Sequence, residues 1–483
     1  MPQWVFNLIV VALYFGAMIS VGIFYQRRAS KDSDAYILAD RKAPLWIVVG
    51  SIFATWVNSA TLLGYGGTGY TSGIAGYWSG GAFMVACTWL GFWAIPRLRA
   101  SGITTIPELF TRYFGNTHRI TAIILVICRD LGVTAGVVLG MAVIFQNLFD
   151  VTINMALLIT VGVTVFFTIS GGAWAVLLTD SIQAGIIILG TSILLPLSVC
   201  KIGGWQVFQS LIPATHVDIF NVGAVQTVGW LLNGLFITFA YQTLIQRGLS
   251  ASDTKTAQKS FVYGGLLCMF WYMIPFVLGI CARILFPDIV AQDAFLELAY
   301  LFGPYVGVIF IIVLLAACIS TLSSCILTIA SNITLDIYKH SINPDLKGKE
   351  MVKIQRITTV IVTIAAVIIG KSLPYILELL WIGGRIMAAG LAPVFMAIIF
   401  WPAARRARIS TVTAMIAGSV VTLVTQIVQQ QAMSAAVAAG ATHFIWDWDP
   451  VVIGLPITII ILLVGTLWET GIHKSSGQSI LLK

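Results

Sequence analysis

The run LLAACISTLSSCILTIAS, residues 314–331, is apolar enough to cross a bilayer, yet it carries Ser320, Thr321, Ser323, Ser324, Thr328 and Ser331. At helical spacing Ala317, Thr321, Ser324, Thr328 and Ser331 recur every third or fourth residue, and Ser320 lies on the same flank. They form one polar stripe. Unsatisfied polar groups are costly in hydrocarbon, so the stripe must face protein, water or an ion. Hydroxyl oxygens without a carboxylate among them suit a weakly held monovalent cation. They also suit a second role, bonding back to carbonyls of their own helix or joining neighbouring helices.

The rest of the chain is equally apolar. Hydrophobic residues make up 58% and charged residues 10%, and the mean hydropathy is +0.95, which excludes a soluble globule. Windows of about 20 apolar residues predict thirteen spans, at 4–25, 44–71, 77–96, 118–148, 151–171, 175–199, 223–244, 258–286, 303–337, 353–371, 373–401, 410–430 and 449–469. With the N-terminus outside, one face collects almost every cation, from Arg27, Arg28, Lys31, Arg41 and Lys42 to Lys474 and Lys483. The opposite face holds only Lys201, Arg283 and Lys371. That asymmetry predicts a cytoplasmic C-terminus. The net charge of +8 then reports orientation, with no nucleic-acid partner.

Two spans are interrupted. The segment 44–71 contains TWVNSAT before GYGGTGY, and 223–244 runs into YQTLIQR, Tyr241 to Arg247. They stand five spans apart, as in an inverted five-plus-five repeat whose broken helices bind solute and ions near the midplane. Glycines and polar residues also serve helix packing. The seven cysteines form no CxxC pair, the five histidines show no metal-ligand spacing, and no span pairs a nucleophile with a base. These features argue against an enzyme. A channel or a solute sensor on the same fold remains an alternative to a carrier.

The segments SGGAWAVLLTDSIQ (170–183), YQTLIQR (241–247) and AACISTLSSCILTIASNITLDIY (316–338) resemble the signature segments of the solute:sodium symporter family, whose members carry proline, sialic acid, galactose, pantothenate or choline. The resemblance implies an all-α, LeuT-like membrane fold. Residues 1–43 would be an added helix and loop, 44–199 and 223–401 the two inverted repeats, and 402–483 two trailing helices with a tail. It implies a first sodium site from the carbonyls of Ala54, Val57 and Ala317 with the hydroxyls of Ser320 and Thr321. A second site would use Asp180, Ser320, Ser323 and Ser324. Sodium would be the coupling ion, no organic cofactor is implied, and the protein would work as a monomer in a bacterial inner membrane.

For the solute, the resemblance points to Trp56, Asn58, Ser59 and Thr61 on the first broken helix and to Tyr241 and Gln242 on the second. Trp56 and Tyr241 fall where the choline branch builds an aromatic cage, and Val133 replaces a third aromatic there. Arg129 and Asp130 lie roughly 17 Å into their span, and Arg385 about 18 Å into its own. Counting two arginines against one aspartate leaves one positive charge for a solute carboxylate. The expected solute is therefore an amino acid, betaine or carboxylate, with Arg385 as its partner, Arg129 paired with Asp130, and Asp130 open to a solute amine. A sugar, nucleobase or vitamin is the alternative.

Overall fold

The computed structural model describes residues 1–29, 33–372, 376–438 and 448–475. Lys31, Lys483 and the start of the span predicted at 373–401 lie outside them. Among the described residues the chain is helical. In chain order the principal helices are α1 (Gln3–Ala29), α2 (Leu45–Trp56), α3 (Tyr65–Ser72), α4 (Tyr77–Trp93), α5 (Asn116–Phe149) and α6 (Ile153–Ile202). They continue with α7 (Ala224–Phe239), α8 (Gln242–Leu249), α9 (Thr254–Trp271), α10 (Met273–Leu285) and α11 (Pro304–Ser331). The last four are α12 (Gly348–Ser372), α13 (Ile376–Phe400), α14 (Arg408–Ala438) and α15 (Val451–Ser475).

Among the described residues, nine helices are long and apolar enough to span a membrane, or eleven if each of two bent pairs counts as one span. The predicted spans are helical where they are described apart from their ends and the breaks within 44–71 and 223–244, but length and apolarity alone do not give thirteen. The difference lies in interrupted helices. Gly172 breaks α6 at φ 55°, ψ −161°, a conformation glycine reaches without a Cβ clash, and the stretch before it, Ile153–Ile169, is short for a span. Local chemistry sets the starts of helices. Thr152 Oγ1 accepts from the Met155 amide at 3.4 Å, and Asp253 caps α9 by accepting from the Thr256 amide at 2.9 Å. The Thr256 bonds also hold the Asp253 carboxyl down to about 2, so this exposed cap stays charged near neutral pH.

The polar-striped helix is the centre of the bundle. Every residue from Val313 to Asn332 is buried, and α11 packs on α5, α6 and α2. Around it α2 packs on α6 and α9, α7 on α4 and α13, and α14 on α15. The lipid-facing sides of the peripheral helices expose large apolar residues such as Phe24, Val420 and Trp468, the surface a bilayer covers.

The GYGGTGY segment makes a helix crossing. A Cβ on Gly69 would lie 2.3 Å from the Phe276 carbonyl oxygen, and one on Gly279 would lie 2.1 Å from that of Gly66. Backbone therefore meets backbone between α3 and α10, a contact that only small residues allow. Gly69→Ala is expected to destabilise the folded protein by about 1–3 kcal/mol, read as a lower thermal midpoint in detergent. An unchanged midpoint would show that the crossing yields easily.

Candidate functional site

Helix α2 ends because its bonding pattern fails. Val57 turns to φ −90°, ψ 105°, and the Asn58 amide donates to Thr61 Oγ1 (3.2 Å) in place of the Ala54 carbonyl. Chain direction then changes by 57° between Leu45–Trp56 and Thr61–Trp93. The second break lies at Ala240 and Tyr241, where α7 and α8 meet at 44°. Between the two breaks lies a cavity to which both contribute, with Trp56, Asn58 and Thr61 from the first and Tyr241 from the second.

Its wall is mainly aromatic. Trp56 stacks on Phe83 (4.7 Å between centroids) and meets Tyr241 edge-on (5.1 Å), and Phe83 stacks on Trp381 (6.2 Å). Tyr65, Tyr272, Val133 and Ile237 complete the apolar lining, with Thr55, Asn58 and Thr61 as polar groups. One charged side chain lines this cavity, Arg129. Its guanidinium sits 3.4 Å over the Tyr241 ring, and Nη1 donates to Asp130 Oδ1 at 2.6 Å. Asp130 Oδ2 accepts from Thr243 at 2.9 Å. Arg129 Nε is buried with no hydrogen-bond partner.

Trp56, Asn58, Thr61 and Tyr241 thus come together at the cavity. Ser59 is fully buried outside its lining, and Asp130 stands behind Arg129. Gln242 faces away, accepting from the Ile106 amide (3.1 Å) and donating to Asn332 Oδ1 (2.6 Å). Arg385 donates to Asp449 at 3.2 Å and is not part of the lining. The count of one unmatched positive charge is therefore corrected. Asp449 sits opposite Arg385, and a third ion pair, Arg247 with Asp180, lies deeper in the bundle (3.5 Å).

The hydroxyl stripe of α11 faces the end of α2. Ser320 Oγ lies between two carbonyls, 2.9 Å from that of Ala54 and 3.1 Å from that of Ala317. Thr321 Oγ1 is buried without a hydrogen-bond partner. One turn further along, Asp180 Oδ2 accepts from Ser51 (2.6 Å) and Ser324 (3.3 Å), whereas Oδ1 is buried and unpartnered. Ser323 Oγ donates to the Ser320 carbonyl (3.2 Å). Arg247 also enters here. It is 2% exposed, its Nη2 donates to Ser324 Oγ, and its Nε reaches Thr55 Oγ1 at 3.4 Å. In the sequence Arg247 is only the end of the polar run YQTLIQR, with nothing to show that it is buried.

Two broken helices crossing at a small aromatic cavity, beside a helix offering carbonyl and hydroxyl oxygens, define a multi-pass membrane carrier of the LeuT-like, inverted-repeat type. The family described as the sodium:solute symporter family matches residues 36–420, and the chain belongs to it. It is 26% identical to the sodium/proline symporter of Haemophilus influenzae, over 82% of this chain and 83% of that protein. It is also 26% identical to the sodium/glucose cotransporter of Vibrio parahaemolyticus, over 82% and 80%. Among solved structures, a substrate-bound, outward-open Na⁺-coupled sialic acid symporter superposes with a TM-score of 0.78 at 18% identity, covering 96% of this chain and 97% of that one. The nucleobase-cation-symport-1 family transporter Mhp1, in a closed conformation, superposes at 0.61 and 11% identity over 92% and 96%. The protein is a sodium-coupled secondary symporter that imports a small organic solute.

Arg385 pairs with Asp449 outside the cavity lining. Arg385→Gln is expected to cost about 3 kcal/mol of stability, seen as a lower thermal midpoint, with the apparent solute constant unchanged in uptake assays. A raised solute constant at unchanged stability would return Arg385 to the solute path.

Proposed function

We propose that the solute is a small organic anion or zwitterion, an amino acid, betaine or monocarboxylate, whose carboxylate pairs with Arg129. The observation that carries this reading is a buried guanidinium lining an otherwise aromatic cavity, with Nε unpartnered. Trp56 and Tyr241 would receive the apolar or cationic remainder of the solute, while Asn58 and Thr61 orient it. Asp130 is the partner of Arg129 in this structure. A neutral planar solute, a nucleobase or vitamin, is the second reading, favoured by the run of stacked rings Trp56, Phe83 and Trp381. A thermal-shift screen of amino acids, betaines, monocarboxylates, nucleobases and sugars, with and without sodium, separates the two, since ligands of the folded state stabilise it.

Sodium is assigned to two sites. The first uses the carbonyls of Ala54, Val57 and Ala317 and the hydroxyls of Ser320 and Thr321, supported by the position of Ser320 between two of those carbonyls. The second uses Asp180, Ser320, Ser323 and Ser324, supported by the unpartnered carboxylate oxygen. Carbonyl and hydroxyl oxygens suit a hard monovalent ion that must be released again. The distribution of lysine and arginine supports an N-terminus outside and a C-terminus in the cytoplasm of a bacterial inner membrane. The working unit is proposed to be a monomer. The repeats are assigned to 44–199 and 223–401, flanked by 1–43 and 402–483.

Two substitutions test these assignments. Arg129→Lys is expected to raise the apparent solute constant at least about tenfold, because a point charge cannot reproduce a two-pronged contact; normal kinetics would favour the neutral solute. Ser320→Ala removes an oxygen from both cation sites and is expected to abolish sodium-stimulated uptake at physiological sodium, with partial recovery at higher concentration. Unchanged sodium dependence would rule out the ion role of the stripe.

A further inference from the structure

Arg247 has the attributes of a mobile counter-ion. It lies on α8, the short inner half of a broken helix, and its guanidinium touches two of the groups assigned to the second sodium, Asp180 and Ser324. A sodium ion on Asp180 Oδ1 and a guanidinium on Asp180 Oδ2 and Ser324 would be two cations competing for one buried carboxylate and one hydroxyl. Asp130 offers the guanidinium a second place to go. Thr243, one turn before Arg247 on the same helix face, already donates to Asp130 Oδ2 at 2.9 Å. Asp130 is also the carboxylate that engages Arg129 at the cavity.

We propose that Arg247 couples the two substrates by exchanging counter-ions: sodium displaces its guanidinium from Asp180, the guanidinium moves to Asp130, and Arg129 is released from Asp130 to take the solute carboxylate. This rests on the assignment of sodium to Asp180 and of a carboxylate to Arg129. Its driving force is charge balance in a low-dielectric interior. At rest, Arg129 and Arg247 balance Asp130 and Asp180. Sodium alone leaves one surplus positive charge and the solute carboxylate alone one surplus negative charge, and unpaired buried charge is strongly disfavoured. With sodium on Asp180 and the solute carboxylate on Arg129, every charge of this network has a partner: sodium with Asp180, Arg247 with Asp130, and Arg129 with the solute. Each substrate thus raises the affinity of the other by the same factor, and no conformational rearrangement larger than two side chains is needed to transmit the effect.

The mechanism can be tested with sodium as the sole ligand, on the purified full-length protein, by titrating sodium-induced thermal stabilisation with choline chloride holding ionic strength constant. Arg247→Gln removes the competitor and is expected to raise sodium affinity at least about tenfold, a change within the usual range of coupling between sites. Asp130→Asn removes the receiving carboxylate and is expected to lower it about tenfold. In the double variant the Asp130→Asn effect is expected to shrink to less than about twofold, because no guanidinium remains to be received. Simple through-space electrostatics would make the two effects additive, and additivity overturns the proposal. Unchanged or weaker sodium affinity in Arg247→Gln overturns it as well. Should Arg247→Gln fail to fold, Arg247→Lys decides: its ammonium is the weaker competitor, so a rise of about threefold supports the exchange and no change refutes it. Asp180→Asn marks the separate failure. If it binds sodium like the wild type, the second cation site is misassigned, whatever Arg247 does.

Discussion

A helix that stops inside a membrane must find partners for the backbone groups it releases, and the rest of this structure is arranged around that requirement. At the end of α2 the partners come from α11, whose Ser320 hydroxyl bonds the Ala54 carbonyl, and from Thr61 and Tyr272, whose hydroxyls both donate to the Trp56 carbonyl, at 3.1 and 3.2 Å. The central position of α11 follows. Only a helix buried on every side can carry a hydroxyl stripe and offer it to a broken neighbour without exposing it to lipid. The same few oxygens that stabilise the break are those that can coordinate a cation, so ion binding and the shape of α2 depend on one set of atoms.

The second constraint is charge. Among the described residues three arginine–aspartate pairs lie within the bundle: Arg129 with Asp130, Arg247 with Asp180, and Arg385 with Asp449. Their surroundings differ. The first borders the cavity, the second borders the hydroxyl stripe, and the third joins α13 to the start of the last helix. A buried pair contributes little net stability compared with apolar packing.

Much of this was legible in the sequence. Polar residues within apolar windows marked both breaks, and the i+3, i+4 spacing of the α11 hydroxyls marked the face they share. Depth along a span was also readable, which is why Arg129, Asp130 and Arg385 stood out. Azimuth was not: depth says how far an arginine lies into the membrane, whereas the cavity selects by helix face, and that face is Arg129's. Arg247 was hidden for a related reason. It ends a polar run that reads as a loop, although α8 continues inward and buries it. Asp449 could not be matched to Arg385 across 64 residues of chain, so the charge count was wrong by one. Phe83, Tyr272 and Trp381 were invisible as site residues because an aromatic in an apolar span is ordinarily packing.

Asp449 has a second partner. It accepts from Asn233 on α7 at 3.4 Å as well as from Arg385 on α13, and α7 and α13 also pack against each other. One carboxylate at the head of a trailing helix therefore fastens two core helices on the same side of the cavity. Separating them would strand a charge in the membrane interior. Asp449 thus ties together the two helices that supply Ile237 and Trp381 to the cavity wall, so the width of the cavity on that side is set in part by a residue outside it.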